Sequence, residues 1–178
     1  MVSYTSIALA ATNLIGLTTA SLDPVRYTGI VHRITAGSTD GNNSLRFEPQ
    51  QVVAEIGDLI EFHFLPKNHT VVQSSFDKPC EPLLDDAIFS GFNFATPNGE
   101  ADNVFTFLIR NRNAFWYYCS QTLGDHCQKG MSGVINQNPD GSETLSAYQE
   151  KAKTTVTKQP SHNQLESQGG NIIRNVPL

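Results

Sequence analysis

The chain has 178 residues, of which 39% are apolar and 16% are charged, and its 12 basic and 17 acidic side chains give a net charge of −5. This composition predicts a globular domain with a buried core and excludes disorder throughout the chain. The acidic balance argues against nucleic-acid binding, because contact with phosphates requires a basic protein face.

The first twenty residues contain no charged side chain. An apolar stretch from Ile7 to Leu17 leads into the small residues that end at Ala20. This pattern predicts a signal peptide over residues 1–20, because the stretch is too short and too polar for a membrane span. The alternative is a short buried strand or helix. A signal peptide implies a secreted protein in an oxidising compartment, where disulfides persist.

Short β-strand patterns dominate residues 21–136, which we expect to form one domain. Their spacing predicts an all-β sandwich or barrel. The expected strands are Tyr27–Ile34, Leu45–Pro49, Gln51–Ala54, Leu59–Leu65, Val104–Ile109, Phe115–Cys119 and Ser132–Ile135. Within the fourth strand, Ile60, Phe62 and Phe64 alternate onto one face, so His63 on the opposite face is expected to point to solvent.

The composition changes after Asn136, where Ser, Thr, Gln and Asn become frequent and Tyr148 is the single aromatic residue. Residues 145–152 could form two helical turns that pack back on the domain. We expect the remainder of residues 137–178 to form a flexible polar tail, because nothing after Lys153 supports a core. The terminal residues carry no recognisable glycolipid-anchor signal.

Three side chains with metal-binding chemistry lie on one loop between two predicted strands, namely Cys119, His126 and Met131. His69 follows another predicted strand about 50 residues upstream, so it can approach this loop in the folded protein. A thiolate, two imidazoles and a weak axial thioether are the donor set of a type 1 copper site. The sequence therefore predicts a mononuclear copper site.

Several motifs of this chain resemble the fungal extracellular cupredoxins, which are secreted, often serine-rich proteins similar to plant phytocyanins. The resemblance covers residues 27–150 and rests on Phe47-Glu48-Pro49, Gly57-Asp58, Asn68-His69-Thr70-Val71, Phe76, Pro79-Cys80, Tyr118-Cys119 and His126-Cys127-Gln128-Lys129-Gly130-Met131. It implies a cupredoxin-like Greek-key β-sandwich. It also implies a disulfide between Cys80 and Cys127, which leaves Cys119 as the free thiol.

Residues beside the proposed ligands are expected to support the metal site. Asn68 and Thr70 flank His69, and we expect their hydrogen bonds to hold the two ligand loops together and to tune the thiolate. The resemblance implies an outer electron path through Tyr118, although an ordinary surface aromatic is the alternative. Asn42 begins the sequence Asn-Asn-Ser in a glycine-rich loop and is the expected glycosylation acceptor.

One spacing departs from the cupredoxin pattern, and one other metal is chemically possible. Six residues separate Cys119 from His126, against the two to four usual in cupredoxins, and a turn at Gly124 would let the extra residues bulge outward. A zinc site formed by Cys119, Cys127, His126 and His69 is conceivable, but adjacent residues rarely converge on one ion. Copper therefore ranks above zinc.

The predicted function is a secreted mononuclear type 1 copper protein that binds one copper per chain and transfers electrons by an outer-sphere route. We expect a monomer with no catalytic residue and no enzyme activity, serving a redox partner protein or a small-molecule donor or acceptor. A docking surface for a basic partner could be formed by Asp77, Glu81, Asp85 and Asp86, although a solvated acidic loop is the commoner meaning of such residues. The alternatives are copper handling or cell-wall association without redox turnover, and a metal-free adhesion domain.

Overall fold

The computed structural model describes residues 29–38, 45–84, 86–161 and 163–176. The expected signal peptide, Asn42 and Asp85 lie outside these residues. The described part of the chain contains nine strands and one helix: β1 Val31–Ala36, β2 Phe47–Glu48, β3 Gln51–Val52, β4 Leu59–Phe64, β5 Val72–Ser74, β6 Asn103–Leu108, β7 Phe115–Tyr118, β8 Ser132–Ile135, α1 Leu145–Ala152 and β9 Asn171–Arg174. No helix among these residues is long and apolar enough to cross a bilayer.

The strands form two sheets, with the orders β2-β1-β4-β6-β9 and β3-β8-β7-β5. The β1–β4 and β3–β8 pairs are parallel, and the other pairs are antiparallel. An apolar cluster fills the space between the sheets, where the Tyr117 ring packs edge-on against Phe47 and Phe62 at centroid distances of 4.9 and 5.3 Å. The predicted β-sandwich is confirmed.

Side-chain alternation along β7 explains how the second sheet is buried on both faces. Tyr117 and the following Cys119 point into the cluster between the sheets. Trp116 points to the outer face, where its ring stacks on Tyr148 of α1 at a centroid distance of 5.4 Å and an interplanar angle of 4°. The predicted helix therefore forms and covers this face, with Thr144 accepting a hydrogen bond from the backbone N–H of Ala147 at its N-terminus.

The C-terminal segment differs from the flexible tail that its composition predicted. The backbone N–H of Phe89 donates to the Gln168 carbonyl over 2.9 Å, and the reciprocal bond is 2.7 Å. Further on, β9 pairs antiparallel with β6 and forms the edge of the first sheet. Backbone hydrogen bonds hold this segment in place, and its polar side chains remain largely exposed. Composition therefore did not reveal the contacts, because backbone pairing does not require apolar side chains.

The predicted exposure of His63 is also wrong. The alternation does place His63 on the outer face of the first sheet, yet its side chain is only 2% exposed. Its Nε2 lies 2.6 Å from a Glu61 carboxylate oxygen and its Nδ1 lies 3.0 Å from Glu100. Glu100 also pairs with Arg33 and accepts a hydrogen bond from Asn175, the residue that follows β9. Distant parts of the chain therefore cover this histidine.

Candidate metal centre

The pairing of β5 with β7 brings the upstream histidine to the loop that carries the cysteine. Val72 lies opposite Tyr118 in this antiparallel pair. Extending the register beyond the strands places Thr70 opposite Ser120, so His69 arrives beside Cys119. His126 lies on the loop between β7 and β8, which returns the chain to the same end of the sandwich.

His69, Cys119 and His126 form a buried group whose ligand atoms converge. The two Nδ1 atoms are 3.2 Å apart, and the Cys119 Sγ lies 3.9 Å from the Nδ1 of His69 and 3.5 Å from that of His126. The point equidistant from these three atoms lies about 2.1 Å from each, close to the metal–imidazole bonds of about 2.0–2.1 Å and metal–thiolate bonds of about 2.3 Å found at zinc. The triangle fits one metal ion.

The orientation of the His69 ring leaves Nδ1, the nitrogen that faces Cys119 and His126, available to a metal. Its Nε2 donates to the Pro66 carbonyl oxygen over 3.2 Å, which places the hydrogen of the neutral ring on Nε2. The lone pair is consequently on Nδ1, which faces Cys119 and His126. A hydrogen bond of this kind, to the nitrogen that does not bind metal, is how proteins orient ligand imidazoles.

Gly37 lies close to the same nitrogen of the His69 ring. A Cβ atom at this position would lie 2.7 Å from the His69 Nε2, and the backbone has a φ of +102°. Both facts favour glycine here. The sequence does not reveal this contact, because Gly37 begins a glycine- and serine-rich loop, where a glycine indicates only a turn.

The hydroxyl of Thr70 joins the two ligand loops. It accepts a hydrogen bond from the Ser120 backbone N–H over 2.8 Å and lies 2.9 Å from the Ser120 hydroxyl oxygen. The backbone N–H of Thr70 points to the Cys119 Sγ over 3.4 Å. Thr70 therefore occupies the position expected from the sequence, whereas Ser120 was not identified there.

Burial controls the protonation of all three side chains. Loss of hydration lowers the pKa of His69 to about 4 and that of His126 to about 4, and the neighbouring His69 contributes to the second shift. Burial likewise raises the pKa of the Cys119 thiol to about 11. Without metal, the three groups are neutral at pH 7, so a bound cation would displace the thiol proton.

A disulfide braces the loop directly beside His126. It joins Cys127 to Cys80 on the long connection between β5 and β6, with a Cα–Cα distance of 5.8 Å. Among the described residues, Cys119 is the free cysteine. The disulfide implied by the family resemblance is therefore present, and it fixes the loop without using the thiol of the candidate site.

The remaining predicted residues lie near this centre in different environments. Met131 is fully buried in the cluster that contains Cys119, and its carbonyl accepts a hydrogen bond from the Cys119 N–H over 3.0 Å. The carbonyl of Asn68 accepts from the Gln121 side chain over 3.3 Å. Tyr118 is fully buried and its hydroxyl donates to the Lys158 carbonyl over 2.6 Å, so it is not a surface aromatic.

Two curated fungal proteins are similar to this chain. An extracellular serine-rich protein of Arthroderma benhamiae is 33% identical over 76% of this chain and 52% of its own length. A probable GPI-anchored cupredoxin of the same fungus is 35% identical over 62% of this chain and 54% of its own length. Both of these similar proteins are fungal, and one of them is named a cupredoxin.

The chain spans about half the length of the curated relatives it matches. No family model matches it. Among solved structures, the dithionite-reduced auracyanin of Roseiflexus castenholzii is 17% identical, covers 62% of this chain and 97% of its own, and has a TM-score of 0.42. The names of the two relatives describe one as extracellular and the other as GPI-anchored.

Proposed function

We propose that this protein is a secreted mononuclear type 1 copper protein that exchanges single electrons with its partner. The observation that carries this proposal is the buried triangle of one sulfur and two Nδ1 atoms, with sides of 3.2, 3.5 and 3.9 Å. One thiolate and two imidazoles in a near-trigonal arrangement are the equatorial ligands of such sites. Copper bound there would supply a Cu(II)/Cu(I) couple.

The residues around the triangle suit a site that must change little when an electron arrives. His69 is held by the Pro66 carbonyl. His126 directly precedes the disulfide-bonded Cys127, and both its backbone N–H and its carbonyl are hydrogen-bonded. The N–H of Thr70 would donate to the thiolate and moderate its charge. We assign Met131 as the axial ligand, since it is buried in the same apolar cluster as Cys119.

Outer-sphere electron transfer is the activity that this environment favours. The three proposed equatorial ligands are all buried. A constrained site of this kind leaves no coordination position open to a substrate, so we assign no enzymatic reaction. We also retain the assignment of residues 1–20 as a signal peptide, which is consistent with the extracellular relatives.

A copper(II) titration of the purified chain tests the proposal directly. We expect an intense thiolate-to-copper absorption band and a narrow parallel hyperfine splitting in EPR, both saturating at about one copper per chain, as a single ligand set requires. Cys119→Ser should abolish the band and leave the fold intact by circular dichroism. Ser120→Ala is a matched control that removes a neighbouring hydroxyl and keeps the thiolate.

Retention of the band in Cys119→Ser would contradict the ligand assignment. Saturable binding without the band would instead support copper handling by ordinary ligands, and a preference for zinc over copper in direct competition would contradict the proposed metal. Voltammetry of the loaded protein then tests the electron-transfer step. A slow, irreversible response with ready loss of metal to a chelator would favour handling over transfer.

A further inference from the structure

The surface beside His126 contains a recess of about 450 Å³. This volume lies within the range of roughly 300–1,000 Å³ that is typical of sites for small molecules. The described residues that line it are Leu45, Lys67, Leu123, Gly124, His126 and Lys129. A molecule in this recess would contact the proposed copper ligand His126 directly.

The charges of this recess are unbalanced. Lys67 and Lys129 come from separate loops, and both side chains are exposed. Within the part of the chain that the structure describes, neither has an acidic side chain within 4 Å, although Asp125 is close in sequence. In a protein with a net charge of −5, two ammonium groups without partners at one recess are a distinctive local feature.

The acidic residues that suggested a basic partner are already neutralised in part. Asp77 pairs with Lys151 over 3.3 Å and Glu81 pairs with Lys158 over 2.8 Å. Lys151 belongs to α1, and Lys158 belongs to the segment after it, whose packing the sequence did not predict. The two charged side chains that line the recess, Lys67 and Lys129, are both positive.

The backbone of Lys67 helps to define the recess. Its φ is +92°, a conformation uncommon for residues other than glycine. Two backbone hydrogen bonds with Thr96, of 3.1 and 3.2 Å, hold this conformation. The lysine at the rim therefore lies on an anchored segment of backbone. The apolar side chain of Leu123, which also lines the recess, is 84% exposed and provides a surface for an apolar group.

We propose that this recess binds a small organic anion that consists of a carboxylate on an apolar or planar body. The carboxylate would pair with Lys67 and Lys129, and the body would lie against Leu45 and Leu123 above His126. This inference rests on the proposed function in one respect, because the anion would be the small molecule that exchanges electrons with copper beside His126. The binding itself requires only the residues of the recess.

Benzoate is a suitable probe, with benzamide as the uncharged molecule of the same shape. We would titrate each into the metal-free full chain and follow the His126 ring signals by NMR. Benzoate should produce saturable shifts that weaken at higher ionic strength, and benzamide should bind more weakly. Lys67→Gln and Lys129→Gln should each weaken benzoate binding by roughly twofold to fivefold, the usual range for one exposed ion pair.

Lys78→Gln is the matched control, because Lys78 is exposed but does not line the recess, and its benzoate affinity should equal that of the wild type. Equal binding of benzamide and benzoate, shifts that never saturate, or an equal loss in Lys78→Gln would each overturn the proposal. Because no metal is present in this titration, a failure to bind copper would contradict the proposed function and leave this result unaffected.

Discussion

Two buried histidine groups in this protein have opposite chemistry. His63, on the outer face of the first sheet, is 2% exposed and has a carboxylate at each ring nitrogen. His69, at the end of the sandwich, is 1% exposed and has a carbonyl at one nitrogen and an open lone pair at the other. Equal burial therefore does not distinguish a structural histidine from a candidate ligand.

The partner of each ring nitrogen makes the distinction. Both ring nitrogens of His63 face carboxylate oxygens, one of Glu61 and one of Glu100, so neither nitrogen is left without a partner. His69 and His126 instead direct two Nδ1 atoms at one thiol, with no carboxylate among the described residues of the group. The first arrangement stabilises the fold, and the second leaves donor atoms available for a cation.

The largest effect that we predict on stability concerns the covalent support of the metal centre. The double substitution Cys80→Ala and Cys127→Ala should lower the free energy of unfolding by about 2–5 kcal/mol, because it removes a cross-link from the unfolded chain. Urea unfolding under non-reducing conditions measures this. A loss below about 1 kcal/mol would show that the ligand loop is held mainly by its backbone hydrogen bonds.

A substitution in the other histidine group should separate stability from metal binding. His63→Gln should lower the free energy of unfolding by about 1–3 kcal/mol, because the buried side chain at this position would no longer contact both carboxylates. The copper absorption band should remain unchanged. An altered band, measured beside the unfolding curve, would show that the two groups are coupled and would break the contrast between them.

Gly37→Ala should disturb the metal centre through the His69 ring. The positive φ costs about 1–2 kcal/mol for a residue with a Cβ, and the new atom would also press on Nε2. Loss of the ring's support should weaken copper binding by about tenfold.

Gly99→Ala is the control for this prediction, since Gly99 has a φ of +65° and nothing within 4 Å of the added Cβ. Competition with a copper chelator measures the affinities of both variants. Equal copper affinity in the two would contradict the proposed contact between Gly37 and His69.

The last effect that we predict concerns the pH dependence of the metal-free protein. The pKa values of His69 and His126 are about 4 in the fold, below the ordinary value of 6.5, so the unfolded chain binds more protons between these limits. Their contribution to stability is complete above pH 6.5 and is lost as the pH falls towards 4. Unfolding of the wild type and His126→Gln at several pH values tests this, and parallel curves would contradict it.

Much of the sandwich was predictable because its strands follow local patterns. β8 forms at Ser132–Ile135 as expected, and the helix over residues 145–152 forms as well. Tyr117 and Trp116 lie on opposite faces of β7, as the period of two along a strand requires. The short strand β5 was missed, because Val72–Ser74 is too brief to show a period of two.

The sequence by itself determined the residue types of the candidate site and the strands β7 and β8 on either side of its loop. Cys119, His126 and Met131 share one short loop, so their proximity follows from chain connectivity, and their chemistry follows from their donor atoms. Strand periodicity likewise arises from neighbouring residues. These features require no knowledge of distant contacts.

The tertiary structure alone decided which nitrogen of His69 is available, why Gly37 must lack a side chain, and why His63 is buried and paired. It also decided that the polar C-terminal segment adds β9 to the first sheet, that Asp77 meets Lys151 of α1, and that Glu81 meets Lys158 of the segment after this helix. Each of these features joins residues far apart in the chain through backbone pairing or packing. Side-chain patterns within one segment do not record such contacts, because the partner belongs to another segment.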